Sequence, residues 1–502
     1  MDMTATYHKA EGVYNQLAEM IAHLKEIAPE FCADPEKRKS AVFNREQKAE
    51  LDLFLKEHPA LNDPRAMFLG GVPQEVKEDI CQWKYYDDAV FFYNLLLRFE
   101  HKLDIEDVLG TIKEKPFVSL NSNWDLTNIY ILPRVRSIHD ALDLVSEEDK
   151  QKEDKQKHWS TDWNAGINQN LKNIFYVERQ ELQLRGKEYK IRNVVLSSAL
   201  FEDKKYLRIA VSPIVADAEL DVHYYEEEDH GVKGLRFSVH GLKNAERVHK
   251  RIEAAFLEAC RTDADVAVFP EMLGDEKLLE PTGQFSSMID SMIEKAEKER
   301  CAAPYLTLMP TWWHDGRNEL YVISDKSERL CIQQKQKPFN LEKDGVEYTE
   351  ALTYTEPEVQ IVHIDGIGRI TFPICKDLLV PDYSDMLISV LRSTFAICPS
   401  FSPKKTQFDL GAAKGTPYGC YIIWLNTCSA MEDMGTGDKS VDHIGWISCP
   451  LVKNSLQKLC PNCGGDCGSD LDVCLFIVQV SLDRDSPGAI VSDHIHIQYP
   501  EQ

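Results

Sequence analysis

The chain predicts an α/β fold preceded by a mainly α-helical N-terminal region, and three observations carry that expectation. Apolar residues first recur at helical spacing, with Val13, Leu17, Met20, Ile21, Leu24 and Ile27 forming one stripe. After Tyr206 the texture changes. Short apolar runs such as Leu207-Arg-Ile-Ala-Val and Val266-Ala-Val-Phe269 alternate with amphipathic stretches, the pattern of layered strands and helices. Finally, Glu271, Lys335 and Cys375 each stand where an apolar run ends, the position from which a buried strand delivers a side chain into a cleft.

Taken in order, the first 145 residues read as a helical domain. Helices are expected over residues 13–27, over 45–57 before Pro59, and over 74–102 as one long helix containing Ala89-Val-Phe-Phe-Tyr-Asn-Leu-Leu-Leu97. Within the last, Tyr85-Tyr86-Asp87-Asp88 spells the Y-x-D-D string of reverse transcriptase sites. Only 84 residues precede it and their pattern is helical, so it reads as a solvated helix face. The run Ser146-Glu-Glu-Asp-Lys-Gln-Lys-Glu-Asp-Lys-Gln-Lys157 has no apolar anchor and reads as a linker, opening a connecting segment over 146–204. The second domain spans 205–485. Its helix over 244–261 carries the stripe Val248, Ile252, Phe256 and Ala259, and leads into the strand that ends at Pro270-Glu271. A helix over 285–300, a strand over 305–309, a turn at Asp315-Gly316 and the strand Leu320-Tyr-Val-Ile323 follow, with a return near Cys331-Ile332. Residues 486–502 read as a tail.

Composition narrows the function classes. The net charge is −25, from 82 acidic against 57 basic residues, and that field disfavours nucleic acid, whose non-specific binding rests on Lys and Arg neutralising phosphates. No apolar run approaches the ~20 residues of a membrane span, so no membrane role is expected. The N-terminus lacks the basic start and apolar core of a secretory signal, and the expected compartment is the cytoplasm. Fourteen scattered cysteines fit a reduced intracellular chain.

The three strand-end residues suit one chemistry. One way to cleave an unactivated carbon–nitrogen bond uses a thiolate nucleophile, a base that takes and returns a proton, and a cation for the developing oxyanion. A cysteine, a carboxylate and an ammonium supply those parts. The fragments are Val266-Ala-Val-Phe-Pro-Glu271, Gln334-Lys335-Gln-Lys337-Pro-Phe339 and Ile370-Thr-Phe-Pro-Ile-Cys375-Lys-Asp377. Their order and strand-end settings resemble the carbon–nitrogen hydrolase (nitrilase) superfamily over about residues 206–482. That resemblance implies a four-layer α-β-β-α sandwich and a Glu-Lys-Cys triad, with Glu271 as base and Cys375 as nucleophile. The lysine is Lys335 or Lys337, with Lys335 the better match to the family's K-x-H-L-F. By the same resemblance the Lys376 backbone N–H is a second oxyanion donor, Asp377 completes the motif I-C-x-D, and a further glutamate holds the lysine. Glu342, Glu347 and Glu350 all qualify, with Glu350 preferred. Asn318 before Leu320-Tyr-Val-Ile323 looks like the family's N-x-x-x-V-I strand. Lys376-Asp377-Leu-Leu-Val-Pro381 departs from the usual C-Y-D-x-R-F-P-E, which leaves the substrate unassigned. Trp312-Trp313-His314-Asp315 stand where family members build a pocket rim, or are packing residues.

Cys460-Pro-Asn-Cys463-Gly-Gly-Asp-Cys467 packs three thiols into eight positions and reads either as a structural zinc site or as a loop of reduced thiols. Cys449 is the fourth ligand of the zinc reading, with Cys474 or His443 as substitutes, inside a Cys-rich insertion over 449–474. Catalysis itself calls for no cofactor. The expected activity is hydrolysis of a small-molecule amide, carbamoyl or nitrile bond through an acyl-enzyme. The competing expectation is a non-catalytic sensing module in a larger, anti-phage type of assembly. The resemblance also implies a homo-oligomer, and the helical N-terminal domain is a candidate surface for a protein partner.

Overall fold

The computed structural model describes residues 3–41, 43–62, 73–103, 117–120, 127–138, 166–201, 204–214, 218–229, 232–280, 287–353, 355–403, 405–432, 443–450, 456–460, 473–483 and 488–497. The chain forms two compact units, one from Met1–Ala199 with Ile361–Arg369, the other from Leu200–Gln360 with Ile370–Gln502.

In the first unit, helix α1 (Met3–Ile27) buries the expected stripe Val13, Leu17, Met20, Ile21 and Leu24. Helix α2 (Arg45–Glu57) begins at Asn44, whose side chain accepts from the Gln47 N–H while the Gln47 side chain accepts from the Asn44 N–H. Such a reciprocal cap contributes about 1 kcal/mol. The single helix expected over 74–102 is two helices, α3 (Gln74–Gln82) and α4 (Ala89–Glu100). The physical reason is Asp88, whose Oδ1 accepts from the N–H groups of Val90 and Phe91 at 3.0 and 3.1 Å and starts a new helix. The Y-x-D-D string is therefore a turn and a helix cap, with Tyr85 stacked on Phe91 at 3.7 Å. A further correction concerns the helical character of the first 145 residues. They also contain strands β1 (Phe117–Leu120) and β2 (Ile129–Pro133). Ile129-Tyr-Ile-Leu-Pro133 is apolar without helical period and is buried along its whole length, as a strand covered on both faces is. It pairs antiparallel with β3 (Ile174–Glu178), and β1 pairs antiparallel with β4 (Lys190–Leu196). The charged run 146–157 lies outside the described residues.

The second unit opens on β5 (Tyr206–Val211), then a long ribbon of β6 (Leu220–Asp229) and β7 (Val232–Leu242), then helix α5 (Ala245–Arg261). Helix α5 buries the expected Val248, Ile252, Phe256 and Ala259, each large apolar side chain contributing about 1.5–3 kcal/mol. There follow β8 (Val266–Val268), α6 (Met288–Lys298), β9 (Leu306–Leu308), β10 (Trp312–His314), β11 (Arg317–Ile323) and β12 (Arg329–Gln334). A second ribbon, β13 (Asn340–Lys343) and β14 (Val346–Glu350), joins the first through β14 and β7 in a four-stranded sheet. Then come the last two residues, Ile370 and Thr371, of β15 (Gly368–Thr371), the four-residue helix α7 (Lys376–Leu379), β16 (Phe395–Pro399), β17 (Tyr421–Leu425), β18 (Gly445–Ser448), β19 (Leu456–Lys458), β20 (Val473–Ser481) and β21 (Ala489–Ile497).

One sheet runs β10-β11-β9-β8-β5-β20-β21, with β12 on β11. At its centre β8 is parallel to both β5 and β9, through Val266↔Ile209 and Val266↔Leu306. Elsewhere in the unit β15 meets β16 through Ile370↔Phe395, β16 is parallel to β17, and β18 and β19 continue antiparallel. Helices α5 and α6 bury their apolar stripes in one cluster with Ala210, Ala267 and Ile477 from the sheet. Among the described residues no helix is long and apolar enough to cross a membrane.

Candidate active site

Three chain segments converge in the second unit. β8 ends at Val268, just before Phe269-Pro270; proline has no N–H to extend a ladder, and the chain turns away with Met272 at φ 65°. Glu271 is left at the strand end, fully buried. The Met272 N–H donates to Thr311 Oγ1 at 2.8 Å, fixing that turn. β12 delivers Lys335, whose N–H donates to the Asn318 carbonyl of neighbouring β11 at 2.8 Å. Beyond β15, Cys375 takes φ 46°, ψ −106°, and its N–H donates to the Pro399 carbonyl at 2.9 Å. A non-glycine residue in that region costs about 1–3 kcal/mol, strain that clusters at functional sites.

Lys335 Nζ lies 2.7 Å from Glu271 Oε1 and 2.6 Å from Glu350 Oε2, with no exposure of any of the three side chains. Asn318 Nδ2 donates to both carboxylates, at 2.9 Å to Glu271 and 3.3 Å to Glu350. Backbone N–H groups complete the set: Phe401 donates to Glu271 Oε2 at 2.8 Å and Phe339 to Glu350 Oε2 at 2.9 Å. Of the two lysines left open by the sequence, Lys335 is the one between the carboxylates; the Lys337 ammonium lies 5.2 Å from the Tyr383 ring centroid. Of the three glutamates, Glu350 is the one on the lysine, while Glu342 and Glu347 are exposed.

Asp377 acts as a strut. Its carboxylate accepts from the N–H groups of Gln336 (3.0 Å), Lys337 (2.7 Å) and Ile374 (3.2 Å), joining the lysine segment to the cysteine segment. Burial pushes its carboxyl up to about 7 against the pull of those donors. Lys376 opens helix α7, in the first turn, where backbone N–H groups have no intrahelical partner.

The charges of this dry site are coupled. Burial opposes the Lys335 charge, but Glu271, Glu350 and Cys375 together hold its ammonium well above the usual lysine range. Burial raises the Glu271 carboxyl, with Lys335 pulling it down and Glu350 pushing it up. Burial and then Glu271 raise the Cys375 thiol well above the usual cysteine range, against Lys335. The set thus places one ammonium between two glutamates, with a protonated thiol within its field. Such a set can pass a proton from sulfur to carboxylate and place an ammonium against a new anion.

A cavity of about 610 Å³ lies beside this set: Met272, Phe339 and Phe401 in its wall are each adjacent in chain to a member or donate to one, while Glu271, Lys335, Glu350 and Cys375 themselves are buried behind that wall. The residues expected at a pocket rim, Trp312, Trp313, His314 and Asp315, line a different cavity of about 570 Å³. Its wall includes His223 and Tyr225, whereas Val222 and Tyr224 face the first cavity. Alternate residues of β6 thus divide the two. Sequence reading passed over this ribbon, and the signal available was the alternation Leu220, Val222, Tyr224 followed by Leu235, Phe237, Val239 around Gly231. It also took Asn318 only as a strand landmark, its amide role being invisible without the tertiary arrangement. Of the expected zinc ligands, Cys449 is buried and Cys460 exposed, while Cys463 and Cys467 lie outside the described residues.

No family model matches the chain, and no curated protein matches it in sequence. Solved structures similar to it include an amidase from Nesterenkonia sp. (13% identity, 56% of this chain and 93% of that one, TM-score 0.36). Others are the C. elegans NitFhit protein (14%, 56% and 62%, TM-score 0.32) and Saccharomyces cerevisiae Nit3 (12%, 49% and 83%, TM-score 0.30). Nit3 is described as a member of branch 10 of the nitrilase superfamily, the family that the three sequence motifs resemble.

Proposed function

We propose that this protein is a cysteine-dependent hydrolase of a non-peptide carbon–nitrogen bond, of the nitrilase type, with a four-layer α-β-β-α catalytic domain. The observation that carries the reading is one sealed arrangement: an ammonium shared by two carboxylates, in the electrostatic field of a cysteine held at positive φ at the cap of a short helix. In the proposed reaction Glu271 takes the Cys375 thiol proton as sulfur bonds to the substrate carbon. The developing oxyanion is held by Lys335 Nζ and the Lys376 N–H, donors worth roughly 3–4 kcal/mol each where they have been removed elsewhere. Glu271 then returns the proton to nitrogen, the carbon–nitrogen bond breaks, and ammonia leaves a thioester on Cys375. Water gives its proton to Glu271 and its oxygen to the acyl carbon, which frees the acid and restores the thiol. Glu350 and Asn318 position Lys335 and Glu271, and no cofactor enters any step.

The test is intact-protein mass and ammonia release on incubation with a pool of primary amides, wild type against Cys375→Ala. An acyl adduct or ammonia that vanishes in the variant supports the hydrolase. Absence of both, with Cys375 also inert to iodoacetamide, would leave a non-catalytic sensing module, a reading favoured by the 1% exposure of Cys375.

A further inference from the structure

The cavity beside the trio is built from two ribbons of one sheet, and its chemistry is lopsided. Along β6, Leu220, Val222 and Tyr224 face it, and along β7, Phe237 and Val239. These are same-face positions of paired strands, with Tyr224 opposite Phe237 and Val222 opposite Val239. Leu341 of β13 adds to the same wall, and Met272, Phe339 and Phe401 form the end nearest Glu271 and Glu350. Most of these apolar side chains are only partly buried, gathered in a small cluster around Phe237, Val239 and Met272. An incompletely covered apolar surface beside a reactive set is the signature of a ligand site.

The charged lining residues, among those described, are Glu219, Lys243, Glu342 and Lys343, and all four are exposed. Two cations and two anions at the mouth give no net selection for a charged group. Lys343 is moreover engaged, its ammonium 4.1 Å from the Tyr224 ring centroid. The buried hydroxyl of Ser429 accepts from the Ala218 N–H at 2.9 Å. A substrate bearing a carboxylate or ammonium within a few carbons of its scissile bond, such as an amino-acid amide, an N-carbamoyl amino acid or the ω-amide of a short dicarboxylic acid, would bring that charge among Phe237, Val239 and Leu341, short of the mouth. An unpaired charge there is costly.

We infer that the substrate is the primary amide or nitrile of an uncharged aliphatic or aryl-alkyl acid. Its apolar body lies between the two ribbons and its far end reaches the mixed-charge mouth. This rests on the hydrolase reading above. The cavity's size suits an acyl group of several carbons, and pockets of a few hundred Å³ hold such bodies.

The experiment has two arms. In the first, kcat/KM is measured for straight-chain amides from acetamide to octanamide and for the ω-amide of glutaric acid. The expected result is a rise of roughly three- to fourfold per methylene, with the glutaric ω-amide far below the uncharged amide of equal length. Val222→Trp fills the cavity and lowers the octanamide-to-acetamide ratio roughly tenfold or more; Leu341→Trp does so from the other ribbon should the first variant fail to fold. In the second arm, calorimetry follows octanamide binding to Cys375→Ala, which binds saturably and loses binding when Val222→Trp is added. A wild-type enzyme that cleaves the glutaric ω-amide as well as the long neutral amides overturns the inference and leaves the hydrolase standing. Octanamide binding that Val222→Trp abolishes, in a chain whose wild type cleaves no amide, keeps the apolar site and overturns the hydrolase. Absence of octanamide binding overturns the inference whatever the wild type cleaves.

Discussion

Replacing Glu271 and Glu350 by glutamine, singly and together, tests whether one ammonium is shared by two carboxylates. Lys335 Nζ is 2.7 Å from one and 2.6 Å from the other, and no side chain of the three meets water. Glutamine preserves size and keeps an oxygen to accept from Phe401 or Phe339. In either single variant Lys335 retains one carboxylate, and the repulsion between Glu271 and Glu350 disappears. The net cost is at most about 2 kcal/mol, the worth of one charged hydrogen bond. The second substitution strands the ammonium in a dry interior, which costs about 3–5 kcal/mol. The double variant is therefore less stable than the sum of the singles by about 1–3 kcal/mol, in whichever order the changes are made. Because the chain has two compact units, the transition is best followed locally, by pulse alkylation of the buried Cys398 and Cys420 across a urea titration. Additivity within about 0.5 kcal/mol would refute the sharing and, with it, the charge arrangement on which the mechanism depends.

Other consequences are open to direct measurement. Glu271→Gln should slow iodoacetamide labelling of Cys375 roughly tenfold or more near neutral pH, since the thiol is held protonated and the proposed mechanism makes this carboxylate its base; unchanged labelling would remove Glu271 from that role. Cys375→Gly should be more stable than Cys375→Ala by about 1 kcal/mol or more, despite the smaller side chain, because φ 46° strains any residue with a Cβ; equal stability would mean the backbone relaxes. The Asp377 carboxyl is pushed up to about 7, so the folded chain holds a proton that the unfolded chain releases near 4. Its stabilising contribution is full below about pH 4 and is lost as pH rises to about 7, at no more than about 1.4 kcal/mol per pH unit, and Asp377→Asn should flatten that slope. His363, in the first unit, has the opposite sense. Burial and Arg369 hold its imidazole well below the usual range, with Nε2 2.8 Å from Asn193 Oδ1. Below about pH 6.5 the unfolded chain takes a proton that the folded chain refuses, so stability falls with pH. His363→Gln should lessen the fall, read by alkylation of the buried Cys32, and an unchanged slope would clear His363 of it.

The division between what was legible in the sequence and what was not follows the range of the forces involved. That Glu271 and Lys335 follow closely on strands could be read directly, because apolar runs closed by Pro270 or followed by a change of texture are local signals, whereas Cys375 stands four residues beyond the end of β15, as the cap of α7. Helix α5 and its buried stripe were legible for the same reason. The helix expected over 74–102 failed on a local competition, in which a capping aspartate at position 88 outweighed continuous apolar spacing. Strand β2 was missed because a fully buried strand lacks the alternation that marks a half-buried one.

By itself the sequence determined which residue types could do chemistry and where strands would present them. Tertiary structure alone decided which glutamate and which lysine meet, since Glu350 and Lys335 lie 15 positions apart and Glu271 another 64 before the lysine. It also decided that Asn318 bridges the two carboxylates and that two ribbons wall an apolar cavity beside them. Spacing along a chain reports a residue's own element, whereas the partner of a buried charge is set by which elements pack together, and only the folded chain holds that information.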